Sequence, residues 1–364
     1  MKNSFGNSLT VTLFGESHGE YIGAVLDGIA PGIRINDEYI ASKLALRRPS
    51  GKISTARIEA DEYSIVSGVF RGYTTGTPLC ILIPNTNKKS ADYGEALDIP
   101  RPGHADYTAR AKYHGYEDFR GGGHFSGRVT AALVAAGAVV QCALESLGIK
   151  LGSHITELHG AFDRPFENLG EDIDLLSKKS FPTLGDEARM VKEIEKAAER
   201  GDSVGGILET AVIGIPSGVG EPWFDSMESM LSHGLFSIPG VKGVEFGLGF
   251  AFADVYGSEG NDAFAVEDGR VITKTNNNGG INGGITNGMP IIFRTVIKPT
   301  PSVFKAQESV SLAKMENATL DLKGRHDPAI IHRARAVVDA VTALVIADAL
   351  TTRYGTDYLA GKSL

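Results

Sequence analysis

Apolar positions along the chain divide it into short strand-like runs and longer helix-like segments. The strand-like runs are rich in β-branched residues and end at turn residues, as strands do; they cover residues 11–14, 63–70, 79–83, 207–215, 244–250 and 290–297. Apolar residues at helical spacing predict helices over residues 37–48, 127–147, 187–200 and 329–354. Asn36 directly precedes the first predicted helix, where asparagine is a favoured cap. Pro328 directly precedes the last one, where proline is tolerated.

The order of these segments favours an α+β fold with antiparallel sheets and outer helices. No Gly-x-Gly-x-x-Gly motif follows a strand and opens a helix, so the sequence does not indicate a Rossmann sheet. No low-complexity linker or internal repeat divides the chain, and we expect a single domain over residues 1–364. Residues 155–202 are more polar and predict a surface insertion.

Composition and charge narrow the class of protein. The chain has 364 residues, 42% of them hydrophobic, and a net charge of −8, so we expect a soluble protein that binds neither nucleic acid nor a membrane surface. Gln141 and Glu145 interrupt its most apolar stretch, residues 131–147, which therefore predicts a buried helix rather than a membrane span. Only Cys80 and Cys142 are cysteines, and the start of the chain lacks the apolar core of a signal peptide, so we expect a cytoplasmic protein.

Three glycine- or proline-rich turns place a histidine beside charged residues. They are Gly15-Glu16-Ser17-His18-Gly19, Arg101-Pro102-Gly103-His104-Ala105-Asp106 and Gly324-Arg325-His326-Asp327-Pro328. Catalytic groups often lie on turns of a rigid scaffold, and histidine exchanges protons near neutral pH. We therefore expect His18, His104 and Asp327 to be acid/base residues. Their spacing is not that of zinc ligands, and we expect no metal site.

A glycine-rich loop opens the long apolar helix, with the sequence Gly-Gly-Gly-His-Phe-Ser-Gly-Arg over residues 121–128. Consecutive glycines let backbone N–H groups converge on an anion, and the helix N-terminus adds its positive end. Ser126 is placed to cap the helix, which is an alternative to a catalytic role. Arg128 in the first turn opposes the helix dipole unless an anion binds there. The basic segment 101–128 around this loop predicts either a small-anion pocket or a solvated basic face.

Three further segments are candidates for binding. The glycine-rich residues 276–288 can either pass close to the flat ring of a ligand or form a hairpin turn. Lys298-Pro299-Thr300-Pro301-Ser302 offers a cation and hydroxyls on a stiff turn that suits a phosphate. Arg47 and Arg48 end the first helix, where cations are favourable without any ligand.

Taken together, these motifs resemble the chorismate synthase family. The three histidine turns, Arg120-Gly121-Gly122-Gly123 and Arg47-Arg48-Pro49 agree with that family's motifs in order and spacing, and the likeness runs from about residue 8 to 350. The resemblance implies two antiparallel four-stranded sheets that sandwich the core, with helices on the outside, usually in a homotetramer. It also implies a lyase of the shikimate pathway that acts on 5-enolpyruvylshikimate 3-phosphate by anti 1,4-elimination. The family requires reduced FMN without net redox change, and some members reduce their own flavin with NADPH. Because this chain shows no extra reductase domain, we expect NADPH only as an external source of reducing equivalents, through a separate flavin reductase.

The resemblance also assigns roles to residues. His18 would protonate the departing phosphate, His104 the reduced flavin, and Asp327 would accept a proton, with Ser17 and Ser126 in support. The positions that match the family's substrate-binding arginines are Arg47, Arg48, Arg101, Arg128 and Arg325. The positions that match flavin contacts are His124, Phe125, Ser126, Pro239, Gly240, Gly283, Lys298, Pro299, Thr300, Pro301, Ser302 and Arg325.

One segment departs from the family pattern. Many members carry Arg-Ser-Ser-Ala-Arg where this chain has His124-Phe125-Ser126-Gly127-Arg128, so the contacts of the first two positions differ. Two other hypotheses stay open from the sequence. An ordinary redox flavoenzyme predicts NAD(P)H consumption in proportion to product, and a non-catalytic anion-binding protein predicts no effect of changing His18 or Asp327.

Overall fold

Two long helices lie between two antiparallel sheets. The computed structural model describes residues 2–49, 53–54, 61–86, 98–322 and 327–361. The strands are β1 (Ser4–Phe5), β2 (Thr10–Gly15), β3 (Tyr21–Asp27), β4 (Ser64–Ser67), β5 (Val69–Phe70), β6 (Tyr73–Thr74), β7 (Leu79–Pro84), β8 (Lys150–Leu158), β9 (Ala161–Phe162), β10 (Gly206–Ile213), β11 (Val241–Phe246), β12 (Phe264–Glu267), β13 (Arg270–Thr273), β14 (Ile281–Asn282), β15 (Ile285–Thr286), β16 (Ile291–Ile297), β17 (Gln307–Ser311) and β18 (Glu316–Leu320). The helices are α1 (Asp37–Arg47), α2 (Asp106–Tyr113), α3 (Thr130–Ser146), α4 (Leu169–Leu176), α5 (Ala188–Glu199), α6 (Met227–Phe236), α7 (Gly257–Gly260) and α8 (Ile331–Tyr354), with 3₁₀ turns at Arg120–Phe125, Gly127–Val129, Gly249–Asp254 and Thr356–Ala360.

The strand order is β1-β2-β3-β7-β4 in one sheet and β11-β16-β10-β8-β9 in the other. Every pairing within them is antiparallel, as the sequence predicts. Within the described ranges each sheet has five strands rather than the expected four, because a two-residue strand, β1 or β9, is added at one edge. The other strand pairs form two-stranded hairpins.

The expectation that the helices lie outside the sheets is wrong for the two longest ones. Helix α3 packs on β3 and β7 of the first sheet, α8 packs on β8 and β10 of the second, and the two helices pack on each other. Nearly every residue of both helices is buried. Helix α3 is apolar on nearly every side, so it must be covered all round, and the space between two sheets provides that cover.

The stretch Gly127–Ser146 is long and apolar enough to cross a membrane by length and composition alone. Within the fold, however, 78% of its most apolar window is buried. The predicted buried helix is therefore confirmed, and α3 is a core element.

Local sequence explains where the site-bearing helices begin. The Asn36 side chain accepts a hydrogen bond from the Tyr39 backbone N–H at 3.0 Å and caps α1 as predicted. Ser126 Oγ accepts from the Arg128 backbone N–H at 3.3 Å, so the expected cap at the start of the long apolar helix is also present. Helix α8 begins at Ile331, shortly after the predicted Pro328.

Residues 155–202 do not lie only on the surface. They contain the end of β8, which runs inside the second sheet, together with β9, α4 and α5. Helix α5 buries Met190, Ile194 and Ala197 on one face and leaves its charged face in solvent, which explains the polar composition of the segment.

The start of the chain is fixed to α8 through one carboxylate. The backbone N–H groups of Asn7, Ser8 and Leu9 donate to the buried Asp348 side chain at 2.7–3.0 Å. This contact holds the turn between β1 and β2 against the C-terminal half of α8.

The close contact between α3 and α8 at Gly137 leads to a prediction about stability. A Cβ atom on Gly137 of α3 would lie 2.4 Å from Ala340 Cβ of α8, whereas one on Gly170 of α4 would meet nothing within 4 Å. We expect Gly137→Ala to lower the free energy of unfolding by about 1–3 kcal/mol through overpacking. Gly170→Ala, the matched control, should raise it by up to about 1 kcal/mol through lower backbone entropy in the unfolded chain. Urea unfolding measures both, and a Gly137→Ala protein as stable as the parent would contradict the close helix contact.

Candidate active site

A cavity of about 920 Å³ lies where the first turns of α3 and α8 meet the last residue of α1. Its other walls come from the glycine-rich loop, residues 238–242, residues 298–302 and the first two strands. The N-terminal ends of the two central helices carry partial positive charge, which favours an anion in the cavity. The volume is at the upper end of the roughly 300–1,000 Å³ typical of small-molecule sites, so two ligands can share it.

The glycine-rich loop owes its shape to three successive glycines. Gly121, Gly122 and Gly123 all have positive φ angles, between 53° and 86°. A Cβ on Gly123 would lie 1.8 Å from the Asp118 carbonyl oxygen, and one on Gly121 would lie 2.3 Å from the His18 ring. Only glycine therefore allows this loop to pass so close to the first histidine turn.

Ser17 and His18 are locked to this loop. The Ser17 backbone N–H donates to the Gly123 carbonyl at 3.1 Å, and its hydroxyl lies 3.0 Å from the Arg120 carbonyl and 3.2 Å from that of Gly121. The same hydroxyl oxygen lies 3.2 Å from His18 Nδ1, within hydrogen-bond distance of the ring. This contact fixes the orientation of the His18 ring beside the loop.

His104 is oriented by Asp106 and Arg101. His104 Nδ1 donates to Asp106 Oδ1 at 2.6 Å, and Arg101 donates to the same carboxylate through Nε and Nη2 at 2.8 Å each. Burial raises the pKa of Asp106, but the hydrogen bonds from Arg101 and His104 outweigh it and hold that pKa well below the usual value. The carboxylate is thus ionised at neutral pH, and it leaves His104 Nε2 as the nitrogen available for proton exchange.

Asp61 gathers the arginines at the end of α1 and the start of α3. Its fully buried carboxylate accepts from Arg47 Nη1 at 3.0 Å and from Arg128 Nη1, and it lies 3.8 Å from Arg48 Nε. Arg47 also donates to Thr130 Oγ1 at 3.1 Å. Since a buried guanidinium needs a counter-charge, Asp61 fixes two of the cationic walls of the cavity.

Asn85 connects Arg128 to the first histidine turn. Arg128 Nε donates to Asn85 Oδ1 at 2.9 Å, while Asn85 Nδ2 donates to the Glu16 and Gly19 carbonyls at 2.9 and 3.0 Å. One buried amide at the end of β7 therefore sets both an arginine and the turn that carries His18.

Asp327 lies at the opposite wall, before α8. Its side chain accepts from Arg333 Nη1 at 2.7 Å, and its backbone carbonyl accepts from Thr300 Oγ1 at 2.7 Å. Lys298 donates to the Gly103 carbonyl and so joins this wall to the turn of His104. The adjoining residues 323–326, which include the predicted Arg325, lie outside the described residues.

His124 and Phe125, the two loop residues that differ from the family pattern, each make a defined contact. His124 Nδ1 donates to the Gly15 carbonyl at 2.8 Å and adds a further bond between the loop and the first turn. Phe125 packs edge-on against Tyr113, with ring centroids 6.1 Å apart. Both residues line the cavity, so the departure from the family pattern changes a wall rather than removing it.

The structure brings together most of the residues that the sequence predicts for the site. Those that line the cavity are Arg47, Arg101, His104, His124, Phe125, Ser126, Arg128, Pro239, Gly240, Lys298, Pro299, Thr300, Pro301, Ser302 and Asp327. Ser17 and His18 touch Gly121, which lines it, but neither lines it itself. Arg48 is set back from the cavity beside Asp61, and Gly283 lies in the turn of the β14–β15 hairpin away from it.

Sequence reasoning missed Asp61, Asn85 and Arg333 as parts of the site. Each of them contacts a predicted site residue that is distant in the sequence or lies in another structural element. One signal for Arg333 was available: a cation in the first turn of a helix opposes the dipole and calls for a nearby acid, and Asp327 precedes it by six residues. Asp61 and Asn85 gave no comparable signal.

Metal and thiol chemistry find no support in the side-chain geometry. Within the described ranges, no group of three or more His, Cys, Asp or Glu side chains is placed to hold a metal ion. Burial raises the pKa of the Cys80 and Cys142 thiols, so neither is an activated nucleophile.

Comparison with known proteins gives a consistent result. The family described as chorismate synthase matches residues 9–351 of this chain. The chain is 48% identical over 351 residues to a chorismate synthase of Pyrococcus abyssi (strain GE5 / Orsay), covering 96% of this chain and 97% of that protein. It is 42% identical over 351 residues to one of Dehalococcoides mccartyi (strain ATCC BAA-2100 / JCM 16839 / KCTC 5957 / BAV1), covering 96% of each. A crystal structure of a chorismate synthase superposes with a TM-score of 0.76 at 29% identity, covering 97% of this chain and 94% of that one.

The lowered pKa of Asp106 predicts how its contribution to stability depends on pH. A carboxylate whose folded pKa lies below its unfolded value stabilises the fold above the unfolded pKa, and this contribution is lost as the pH falls through the folded one. We expect Asp106→Asn to lower the melting temperature at pH 7 and the gap to the parent to narrow below about pH 4. Thermal unfolding between pH 7 and 3 measures this, with Asp254→Asn as a control for net charge. A gap that stays constant would contradict the paired carboxylate.

Proposed function

The chain belongs to the chorismate synthase family, and from that premise we propose that it converts 5-enolpyruvylshikimate 3-phosphate into chorismate. Phosphate leaves C3 and a proton leaves C6 in an anti 1,4-elimination, which makes the enzyme a carbon–oxygen lyase of aromatic amino acid biosynthesis. The observation that carries the proposal is the convergence of Arg47, Arg101 and Arg128 with His104 and Asp327 in the cavity.

The substrate is a small polyanion with two carboxylates and a phosphate. The planar fork of arginine matches carboxylate and phosphate oxygens in a bidentate manner. Arg47, Arg101 and Arg128 are the proposed anion ligands, each held by an internal carboxylate that limits its rotation. The N-terminal ends of α3 and α8 add to the positive potential at the same place.

The residues of the cavity fit reduced FMN as a second ligand. Gly121, Gly127 and Gly240 line the cavity without side chains, which leaves room for a flat ring. The proposed contacts are His124, Phe125, Ser126, Pro239, Gly240, Lys298, Pro299, Thr300, Pro301 and Ser302. When bound, reduced FMN supplies electron density to the substrate transiently and recovers it, so there is no net redox change.

Three side chains are the proposed proton carriers. His104 exchanges a proton at Nε2, because its other ring nitrogen is bound to Asp106. Asp327 accepts a proton at its carboxylate, which Arg333 orients. His18 delivers a proton to the departing phosphate at the part of the cavity wall formed by Gly121. Ser17 and Ser126 support these transfers by fixing the loop between them.

We also propose a cytoplasmic homotetramer that receives reduced flavin from a separate reductase, with NADPH only as the external source of electrons. Large apolar side chains stand exposed on one stretch of the chain, notably Trp223, Phe224, Phe250 and Tyr256. Exposed apolar surface of this kind supports association between copies.

An anaerobic assay tests the proposed reaction. Purified protein is mixed with 5-enolpyruvylshikimate 3-phosphate and chemically reduced FMN, and chorismate absorbance and phosphate release are followed together. Equal amounts of both products, with the flavin still reduced at the end, are expected. Flavin oxidation or NAD(P)H consumption in proportion to product would instead favour an ordinary redox flavoenzyme. Absence of product despite flavin binding would overturn the proposed substrate.

Asp327→Asn tests the proposed proton acceptor. The amide keeps the shape of the side chain but cannot take up a proton, so turnover should fall by about 10²–10⁴-fold, while FMN binding measured by fluorescence is retained. Asp172→Asn is the matched control, because Asp172 forms a comparable ion pair with Arg164 at 2.6 Å outside the cavity. Full activity of Asp327→Asn would remove this residue from the mechanism, and unchanged behaviour of His18→Ala as well would favour a non-catalytic anion-binding protein.

A further inference from the structure

We infer that Arg333 is a positioning residue for Asp327. This inference rests on the proposed function of the cavity. Arg333 stands in the first turn of α8, where the helix dipole disfavours a cation. Its guanidinium donates from Nη1 to Asp327 Oδ2 at 2.7 Å, and each side chain is only 15% exposed. The pair is therefore poorly screened by solvent, and the carboxylate provides the counter-charge that the helix start lacks.

A second contact fixes the direction of the guanidinium. Arg333 Nε donates at 2.8 Å to the carbonyl oxygen of Arg47, the last residue of α1. Carbonyl groups at a helix C-terminus carry partial negative charge and attract cations. One planar fork thus connects the end of α1, the start of α8 and the side chain of Asp327, and its two contacts prevent it from rotating independently.

The backbone of Asp327 is held separately. Thr300 Oγ1 donates to the Asp327 carbonyl at 2.7 Å, and the Val204 backbone N–H donates to the Pro328 carbonyl at 2.8 Å. The position of the Asp327 Cα atom is set by these bonds, so the remaining freedom is rotation of its side chain. Arg333 restricts that rotation through its bond to Oδ2.

This arrangement distinguishes Arg333 from the other arginines of the cavity. Arg47 and Arg128 share the counter-charge of Asp61, for which no proton transfer is proposed. Arg333 instead pairs with the proposed proton acceptor. Its loss should slow the chemical step and leave anion binding nearly intact.

Steady-state kinetics test this difference. Arg333→Ala should lower kcat by about 100-fold, the order expected for a misplaced catalytic group, with KM changed less than about threefold. Added ethylguanidinium should restore part of kcat, because it can occupy the vacated space beside Asp327. Arg333→Lys should retain only a fraction of the rate, since an ammonium lacks the fork that spans both acceptors.

The matched control is Arg164→Ala, which removes the arginine of a comparable ion pair with Asp172 outside the cavity. It should leave kcat unchanged and show no response to ethylguanidinium. A rise in KM for Arg333→Ala with kcat retained would show that Arg333 binds substrate directly, and this result would overturn the positioning role. Absence of rescue, with folding intact, would also count against it.

Thermal unfolding of the ligand-free protein tests the contact independently of activity. Arg333→Ala and Asp327→Asn are compared alone and together in a double-mutant cycle. The combined variant should lose clearly less melting temperature than the sum of the two single changes, because both remove the same contact. Additive losses would overturn the inference. If the parent forms no chorismate, the proposed function fails, while the cycle still decides whether Arg333 holds Asp327.

Discussion

The close packing of α3 against α8 is the constraint on which the site depends. Gly137 lets the two helices approach until its Cα faces Ala340 with no room for a side chain. Each helix also covers the inner face of one sheet, so this single contact joins the two halves of the fold. Both helices begin at the cavity, with Arg128 at the start of α3 and Arg333 at the start of α8. The separation of the helices therefore sets the distance between these two cations across the cavity.

Cations collected in one cavity create a second requirement. Arginine side chains removed from water are costly unless acids or other acceptors pair with them. Three carboxylates meet that need, each beside a different part of the site: Asp61 for Arg47 and Arg128, Asp106 for Arg101, and Asp327 for Arg333. The cavity therefore keeps its arginines oriented without a ligand, and less ordering is left for the moment of binding.

The glycine-rich loop turns separate motifs into one site. It holds Ser17 through backbone and side-chain bonds, holds His124 against the Gly15 carbonyl, and runs beside His104 at Gly122. The substitution at positions 124 and 125 fits this view. Histidine bonds the first turn and phenylalanine packs on Tyr113, so the loop is held in place by contacts that an arginine and a serine would not make in the same way.

The amino-acid sequence by itself predicted α1, α3, α5 and α8, several of the sheet strands, and which turns carry chemistry. It missed the interior strands β3 and β8 and the helices α2, α4 and α6. Caps such as Asn36 and Ser126, and the histidine turns, depend on residues that are neighbours in the chain, so local pattern is sufficient to recognise them. The family likeness added the roles of the residues. Only the tertiary structure showed that α3 and α8 lie between the sheets. An apolar sequence predicts that a helix is buried, but it does not say which elements cover it.

The tertiary structure also decided the partners of the charged residues. Asp61 with Arg128, and Asn85 with the turn of His18, join residues far apart in the chain. Electrostatic pairing depends on distance in space, and an arginine in a sequence has many acids within possible reach. Only the packed fold selects one of them, and it thereby sets the geometry of the site.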